Sequence, residues 1–198
     1  MVLCIFNQMN QEVNMEYFDV YNKYGEKTGE IIERVEAHKN GICHRVIHLW
    51  IINSHNEILI QQRSANKDAG ANLWYVSVGG HIESSESIES TIIRETKEEL
   101  GLDILPFINS LEYLFTFKET LIENNGTFID NEFYDVFLLK ADFNINQITV
   151  QEEEVQAVKY ISYDEFRNIV INQDASFWQH KTGYKMLLAA LDVRENIL

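Results

Sequence analysis

Residues 80–102 of this chain, GHIESSESIESTIIRETKEELGL, contain the pattern that decides its fold. The pattern can be written G-x5-E-x7-R-E-x-x-E-E-x-G, and its fixed positions are Gly80, Glu86, Arg94, Glu95, Glu98, Glu99 and Gly101. With ordinary residue frequencies, this spacing would arise by chance in roughly one in a million chains of this length. The spacing therefore indicates a shared chemical role for these side chains.

An α-helix is predicted inside this stretch. Ser85 or Ser87 is a suitable N-cap, and the helix then runs to about Leu100. Gly101 supplies the left-handed residue that ends it. One arc of this helix is mainly apolar and would face the core. The residues of that arc are Ile92, Ile93, Thr96 and Leu100.

A second arc of the helix, about 120° away, carries three carboxylates. Glu95, Glu98 and Glu99 have the i, i+3, i+4 spacing that brings side chains together. Arg94 offsets only part of their mutual repulsion. A solvated acidic face is the default interpretation of a helix rich in glutamate. The flanking glycines and Glu86 favour a functional site instead.

Such a cluster suits Mg²⁺ or Mn²⁺, which prefer oxygen ligands and bridge to phosphate oxygens. A bound divalent ion would neutralise the charge of a diphosphate and lower the pKa of an attacking water. Gly79 and Gly80 lack side chains, so the backbone before the helix could pass close to a phosphate. We therefore expect the two glycines to bind substrate.

The length and composition of the chain predict one folded domain. The chain has 198 residues, and 45% of them are hydrophobic, which is enough for a sizeable core. Residues 1–14 show no sustained period of 2 or 3.6. We expect these residues to be a dispensable extension and residues 15–198 to form the domain.

The charge and the cysteines restrict partners and compartment. A net charge of −15 with no basic cluster argues against a nucleic-acid scaffold as partner. Cys4 and Cys43 are isolated thiols, which indicates a reducing compartment rather than a disulfide framework. No apolar run approaches the roughly 20 residues of a membrane-spanning helix. We therefore expect a cytoplasmic protein that does not insert into a membrane.

The remaining sequence predicts strands on both sides of this helix. Strand patterns occur in residues 17–34 (as a hairpin), 44–52, 57–62, 74–78, 111–118, 132–141 and 155–161. Ser162 and Glu165 form a capping box for a helix through about residue 171. An amphipathic helix runs from Lys181 to about residue 193. This order of elements predicts an α/β fold, a three-layer α/β/α sandwich with a mixed sheet.

The pattern of residues 80–102 resembles the Nudix box, the signature of enzymes that hydrolyse a diphosphate linked to another moiety. Thr96 stands where the family usually has an aliphatic residue. The resemblance implies the sandwich fold, an Mg²⁺ or Mn²⁺ cofactor and a small diphosphate substrate.

The same resemblance assigns roles within the box. It implies that Glu95, Glu98 and Glu99 bind the metal, that Glu86 is an auxiliary carboxylate, and that Arg94 orients a ligand. The general base stays open between the box and a later loop. The candidates in that loop are Glu152, Glu153 and Glu154.

Segments outside the box are similar to the Nudix branch that includes type I isopentenyl-diphosphate isomerase. These segments are YFDVYNKYGEKTG, EAHKNGICHRVIHLWIIN, ILIQQRS and LWYVSVGGHIE. The similarity implies a second metal site at His38, His44 and His81, although His44 could instead face solvent, as could His48. It also implies that Arg63 contacts a substrate phosphate, with a surface ion pair as the alternative.

Gly79 stands where the isomerase has its catalytic cysteine. Isomerisation needs a proton donor and a proton acceptor on opposite faces of the substrate, and glycine supplies neither. The sequence therefore favours a pyrophosphohydrolase acting on a nucleoside diphosphate derivative or a similar small diphosphate. The alternatives are an isomerase and a non-catalytic ligand-binding module. Homodimers are common in the family, and the oligomeric state of this chain stays open.

Overall fold

The described part of the chain, residues 15–195 of a computed structural model, contains nine β-strands and four α-helices. The strands are β1 (Tyr17–Tyr21), β2 (Lys27–Glu33), β3 (His44–Ile52), β4 (Glu57–Arg63), β5 (Trp74–Tyr75), β6 (Val78–His81), β7 (Leu111–Glu123), β8 (Phe128–Lys140) and β9 (Val155–Ser162). The helices are α1 (Arg34–Asn40), α2 (Ile88–Leu100), α3 (Tyr163–Asn172) and α4 (Lys181–Glu195). The expectation that residues 1–14 are dispensable concerns a segment outside these described residues.

Seven of the strands form one mixed sheet, and β1 and β2 form a separate hairpin. Within the large sheet, β3 and β8 pair in parallel, whereas the other strand pairs are antiparallel. Helix α2 packs on one face of this sheet, and α3 and α4 pack on the other. The predicted α/β/α sandwich with a mixed sheet is confirmed.

The central strand, β3, is buried on both faces, which explains its nearly continuous apolar sequence. Its alternating side chains divide between the two layers of core. Ile47 and Leu49 belong to the layer that includes Ile92 of α2. Val46 and Trp50 belong to the layer beneath α3 and α4.

Helix α2 has the ends that its sequence predicts. The Ser87 side chain accepts a hydrogen bond from the Ser90 N–H at 3.1 Å, and Gly101 has a φ of 68°. Thr96 is fully buried in the apolar arc, where its hydroxyl donates to the Ile92 carbonyl at 2.7 Å. The hydroxyl is thereby satisfied, so threonine can occupy this aliphatic position. Among the helices of residues 15–195, none has both the length and the apolar character needed to cross a membrane.

Several local predictions differ from the structure. The strands predicted at residues 111–118 and 132–141 are longer in the structure, as β7 and β8, and leave only a short connection between them. The strand predicted at residues 74–78 is divided into β5 and β6, because the buried Ser77 hydroxyl replaces part of the backbone ladder. This hydroxyl accepts from the Ile51 N–H at 2.8 Å and donates to the Leu59 carbonyl at 2.5 Å. Helix α1 was not predicted, and at seven residues it is too short to show a clear apolar period.

The N-cap of α2 is directly testable. We expect Ser87→Ala to lower the free energy of unfolding by about 1 kcal/mol, because it leaves a helix N–H without its acceptor. Ser87→Gly should cost only a few tenths of a kcal/mol. Chemical denaturation of the metal-free protein measures both values. Equal stability of the alanine variant and the wild type would show that this cap does not stabilise the helix.

Candidate active site

A cavity of about 210 Å³ lies where α2 meets β3, β4 and β6. Its carboxylates include Glu95, Glu98, Glu99, Asp130, Glu132 and Glu154. Its basic side chains are Arg34, Arg63, Lys67 and Arg94, and its wall includes Tyr75, Phe128 and Trp178. The cavity therefore places acidic and basic groups within reach of one small molecule.

The three glutamates predicted as metal ligands all line this cavity. Glu99 is 5% exposed, whereas half of the Glu98 side chain is exposed. Burial raises the pKa of Glu95 to about 7 despite the neighbouring Arg94. Burial, and then repulsion from Glu95, raises the pKa of Glu99 to about 8. Glu95 and Glu99 therefore lack enough nearby positive charge to ionise in the ordinary range.

Arg94 connects the carboxylates of the box. Its Nη1 donates to Glu95 at 2.8 Å and to Glu98 at 3.1 Å. Its Nε and Nη2 donate to the two oxygens of Glu86, at 2.9 and 2.8 Å. Glu86 lies outside the cavity lining; besides the Thr91 hydroxyl, which donates to it at 2.9 Å, its side-chain partner is Arg94. This pairing lowers the pKa of Glu86.

The two glycines of β6 are packed against side chains. A Cβ at Gly80 would overlap the carboxyl group of Glu95, and a Cβ at Gly79 would lie 2.8 Å from Cε1 of Tyr75. The sequence suggested that these glycines admit a phosphate to the backbone. In the structure, the space beside Gly80 holds the Glu95 carboxyl group, and the space beside Gly79 holds the Tyr75 ring. A larger residue at either position would therefore disturb the cavity.

Two basic side chains of the cavity, Arg63 and Lys67, are held by neighbouring groups. Arg63 donates twice to the Ala69 carbonyl, at 3.1 and 3.0 Å, and its guanidinium lies 4.3 Å from the Trp178 ring centroid. No ion pair of Arg63 occurs among the described residues, in contrast to the surface-pair alternative. Lys67 is paired with Glu154.

The structure also separates the three candidate bases of the later loop. Glu154 lines the cavity, whereas Glu152 and Glu153 are exposed and lie outside the lining. Only Glu154 is therefore placed to contact a molecule in the cavity.

The three predicted histidines meet beside the carboxylates, together with Glu132. One potential ligand atom from each of the four residues lies within 4.8 Å of the others. Glu132 Oε1 is 2.9 Å from Nε2 of His44, 3.2 Å from Nε2 of His81 and 3.7 Å from Nε2 of His38. The interpretation in which His44 and His48 face solvent is wrong, because both are buried.

Glu132 was not identified from the sequence. It pairs with His44 in the parallel register of β3 and β8, so the contact depends on two strands far apart in the chain. One sequence signal could have indicated this residue. Asp130 and Glu132 are acidic residues at alternate positions of β8, a strand that is otherwise largely apolar, so both side chains point to the same face of the sheet. Burial, and then the neighbouring Glu132, raises the pKa of Asp130 to about 9.

Known proteins resemble this chain over most of its length. The NUDIX domain family matches residues 43–181. The chain is 38% identical to Nudix hydrolase 3 of Arabidopsis thaliana over 165 residues, which cover 82% of this chain and 21% of that protein. It is 32% identical to an uncharacterized Nudix hydrolase of Clostridium acetobutylicum over 205 residues, which cover 89% of this chain and 97% of that protein. The chain thus spans about a fifth of the Arabidopsis relative.

More distant similarity extends to an isomerase and to solved structures. The chain is 28% identical to isopentenyl-diphosphate delta-isomerase of Salmonella paratyphi B over 174 residues, 87% of this chain and 91% of that enzyme. A crystal structure from Deinococcus radiodurans covers 86% of this chain and 98% of its own, with a TM-score of 0.67 and 21% identity, which supports the fold. The family match and the Clostridium relative show that this chain belongs to the Nudix hydrolase family, whose members act on phosphoric anhydride bonds.

Proposed function

We propose that this chain is a divalent-metal-dependent pyrophosphohydrolase that cleaves a nucleoside diphosphate derivative or a similar small diphosphate. The observation that carries the proposal is the convergence of Glu95, Glu98 and Glu99 on one cavity that Arg63 and Lys67 also line. An acidic surface without a catalytic role would not require two of these carboxylates to be buried.

The carboxylate set fits Mg²⁺ or Mn²⁺. Glu95 and Glu99 are crowded and largely buried, and their pKa values are raised although Arg94 contacts Glu95, so the positive charge around them does not balance their own. A divalent ion with oxygen ligands is the partner that such a set accommodates. When bound, the ion would neutralise the diphosphate and lower the pKa of an attacking water.

The other residues of the cavity have complementary roles in this proposal. Arg94 holds Glu95 and Glu98 toward the same space. Arg63 and Lys67 line the same cavity, where they would contact phosphate oxygens. Glu154 is our candidate for the group that accepts a proton from the attacking water, because it lines the cavity and touches Lys67.

We also propose a second metal site at His38, His44, His81 and Glu132. The Nδ1 atoms of His38 and His44 contact backbone carbonyls at 2.8 Å, which places the ring proton there and leaves an Nε2 lone pair. Burial lowers the pKa of His81, which favours the neutral form that binds metals. A cation between these lone pairs and Glu132 would relieve their repulsion.

An isomerase is the second candidate function, and the histidine cluster and the Salmonella relative support it. Gly79 opposes it for two reasons. Glycine lacks the thiol that the isomerase has at this position, and Tyr75 occupies the space next to this residue, where a side chain would lie. A non-catalytic module is the third candidate. The intact set of buried carboxylates opposes that function, because a module without catalysis could lose it at no cost.

The first test replaces the carboxylates. We expect Glu98→Gln and Glu99→Gln to lower kcat by several orders of magnitude, because glutamine keeps the shape but removes the charge that holds the ion. The assay measures the phosphomonoesters and phosphate that are released from nucleotides, sugar nucleotides and prenyl diphosphates with Mg²⁺ or Mn²⁺.

Glu89→Gln is the matched control for this test. Glu89 is exposed in the first turn of the same helix and lies outside the cavity, so its variant should retain the wild-type rate. If both cavity variants hydrolysed the best substrate as fast as this control, the assigned metal site would be wrong.

The second test uses pH. Between about pH 4.5 and about pH 8, Glu99 keeps its proton in the folded, metal-free protein but loses it in the unfolded chain. Glu99 therefore contributes stability that disappears as the pH rises through this range. The melting temperature of the wild type should therefore fall relative to that of Glu99→Gln between pH 5 and 9 (about the range that the two pKa values span). Saturating Mn²⁺ should reduce this fall. Parallel melting curves for the two proteins without metal would contradict the raised pKa.

The third test separates hydrolase from isomerase. Incubation with isopentenyl diphosphate and Mg²⁺ should yield no dimethylallyl diphosphate. Gly79→Cys should gain little or no isomerase activity, because the new side chain collides with Tyr75 and is not placed at the reacting carbon. Gly79→Ala controls for added bulk, and both variants should lose hydrolysis. Allylic product from the unmodified protein at an enzymatic rate would make isomerisation the preferred function.

A further inference from the structure

Gln61 is a buried amide near the end of an otherwise apolar run in β4. The three preceding residues, Ile58, Leu59 and Ile60, are buried apolar side chains, and Gln61 is only 1% exposed. Alternation along the strand places Gln61 on the same face as Leu59, which packs in the layer of α2. Burying an amide is unfavourable unless hydrogen bonds compensate, so its contacts must explain it.

The amide is directed at one carboxylate of the signature helix. Its Nε2 donates to Oε2 of Glu99 at 3.0 Å, across 38 residues of sequence. The backbone N–H of Gly79 donates to the same oxygen at 3.4 Å. Within residues 15–195, no hydrogen bond engages the other oxygen of Glu99, Oε1. Two donors thus fix the orientation of this carboxylate and leave one oxygen available.

Packing alone does not account for glutamine at this position. Gln61 Oε1 is also buried, and no group in the described part of the chain donates to it. An aliphatic side chain of similar length would fill the same space without an unsatisfied oxygen. The half-satisfied amide is therefore better explained by what its NH₂ group does for Glu99.

We propose that Gln61 is a positioning residue that presents Glu99 to the divalent ion. It holds Oε2, so that Oε1 remains free to coordinate in a fixed direction. The inference rests on the proposed function, because it requires Glu99 to be a metal ligand. It assigns a metal-supporting role to a residue outside the signature pattern of residues 80–102.

The test compares two neighbouring glutamines. Gln61→Met and Gln61→Leu place an apolar side chain at this buried position of β4 and remove the donor to Glu99. Gln62→Met makes the same chemical change one residue later. Gln62 donates to the Asn72 carbonyl at 2.9 Å and does not line the cavity. Mn²⁺ binding to each metal-free protein is measured by calorimetry, together with its melting temperature.

We expect both Gln61 variants to bind Mn²⁺ about 10- to 100-fold more weakly at the site that Glu99→Gln also weakens. Gln62→Met should bind like the wild type. In a Glu99→Gln background, Gln61→Met should cause no further loss, because its only route to the ion is through that carboxylate. If the role of Gln61 were purely structural, replacing it would lower the melting temperature, and its effect on Mn²⁺ binding would not depend on Glu99.

The contradicting outcomes are distinct. If Glu99→Gln weakens Mn²⁺ binding but neither Gln61 variant does, Gln61 is not a positioning residue, and the proposed metal site stands. An equal loss in the wild-type and Glu99→Gln backgrounds also rules out positioning through Glu99. If Glu99→Gln itself binds Mn²⁺ like the wild type, the inference fails together with the metal site on which it rests.

Discussion

Two glutamates buried close together, Glu95 and Glu99, impose the constraint on which the rest of this site depends. Burial opposes the charge of each, and repulsion from Glu95 raises the pKa of Glu99 further. The fold supplies Arg94 to Glu95, and Gln61 with the Gly79 backbone to Glu99. These contacts orient the carboxylates without neutralising both, which leaves room for a divalent cation as the missing charge.

The short strand β6 links this carboxylate cluster to the histidine cluster. Three successive residues have separate tasks: the Gly79 N–H contacts Glu99, Gly80 makes space for Glu95, and His81 reaches Glu132. Antiparallel pairing with the central strand β3 fixes all three positions. A change in the register of β6 would therefore disturb both clusters together.

The sequence predicts those parts of the fold and site whose signals are local. Helix α2 could be placed closely because Ser87 and Gly101 cap it and because its apolar arc has a clear period. Strand β3 could be bounded to the residue because its apolar run is long. The contacts of Gln61 and Glu132 could not be predicted, since each depends on pairing between elements far apart in the chain.

The central claim is that a divalent ion binds at Glu95, Glu98 and Glu99. The most direct measurement is anomalous diffraction from crystals of the protein soaked in Mn²⁺ and a non-hydrolysable diphosphate. Our account predicts an anomalous peak within coordination distance of these three carboxylates, with or without a second peak at the histidine cluster. A peak at the histidine cluster alone, at a Mn²⁺ concentration that supports hydrolysis, would contradict the account.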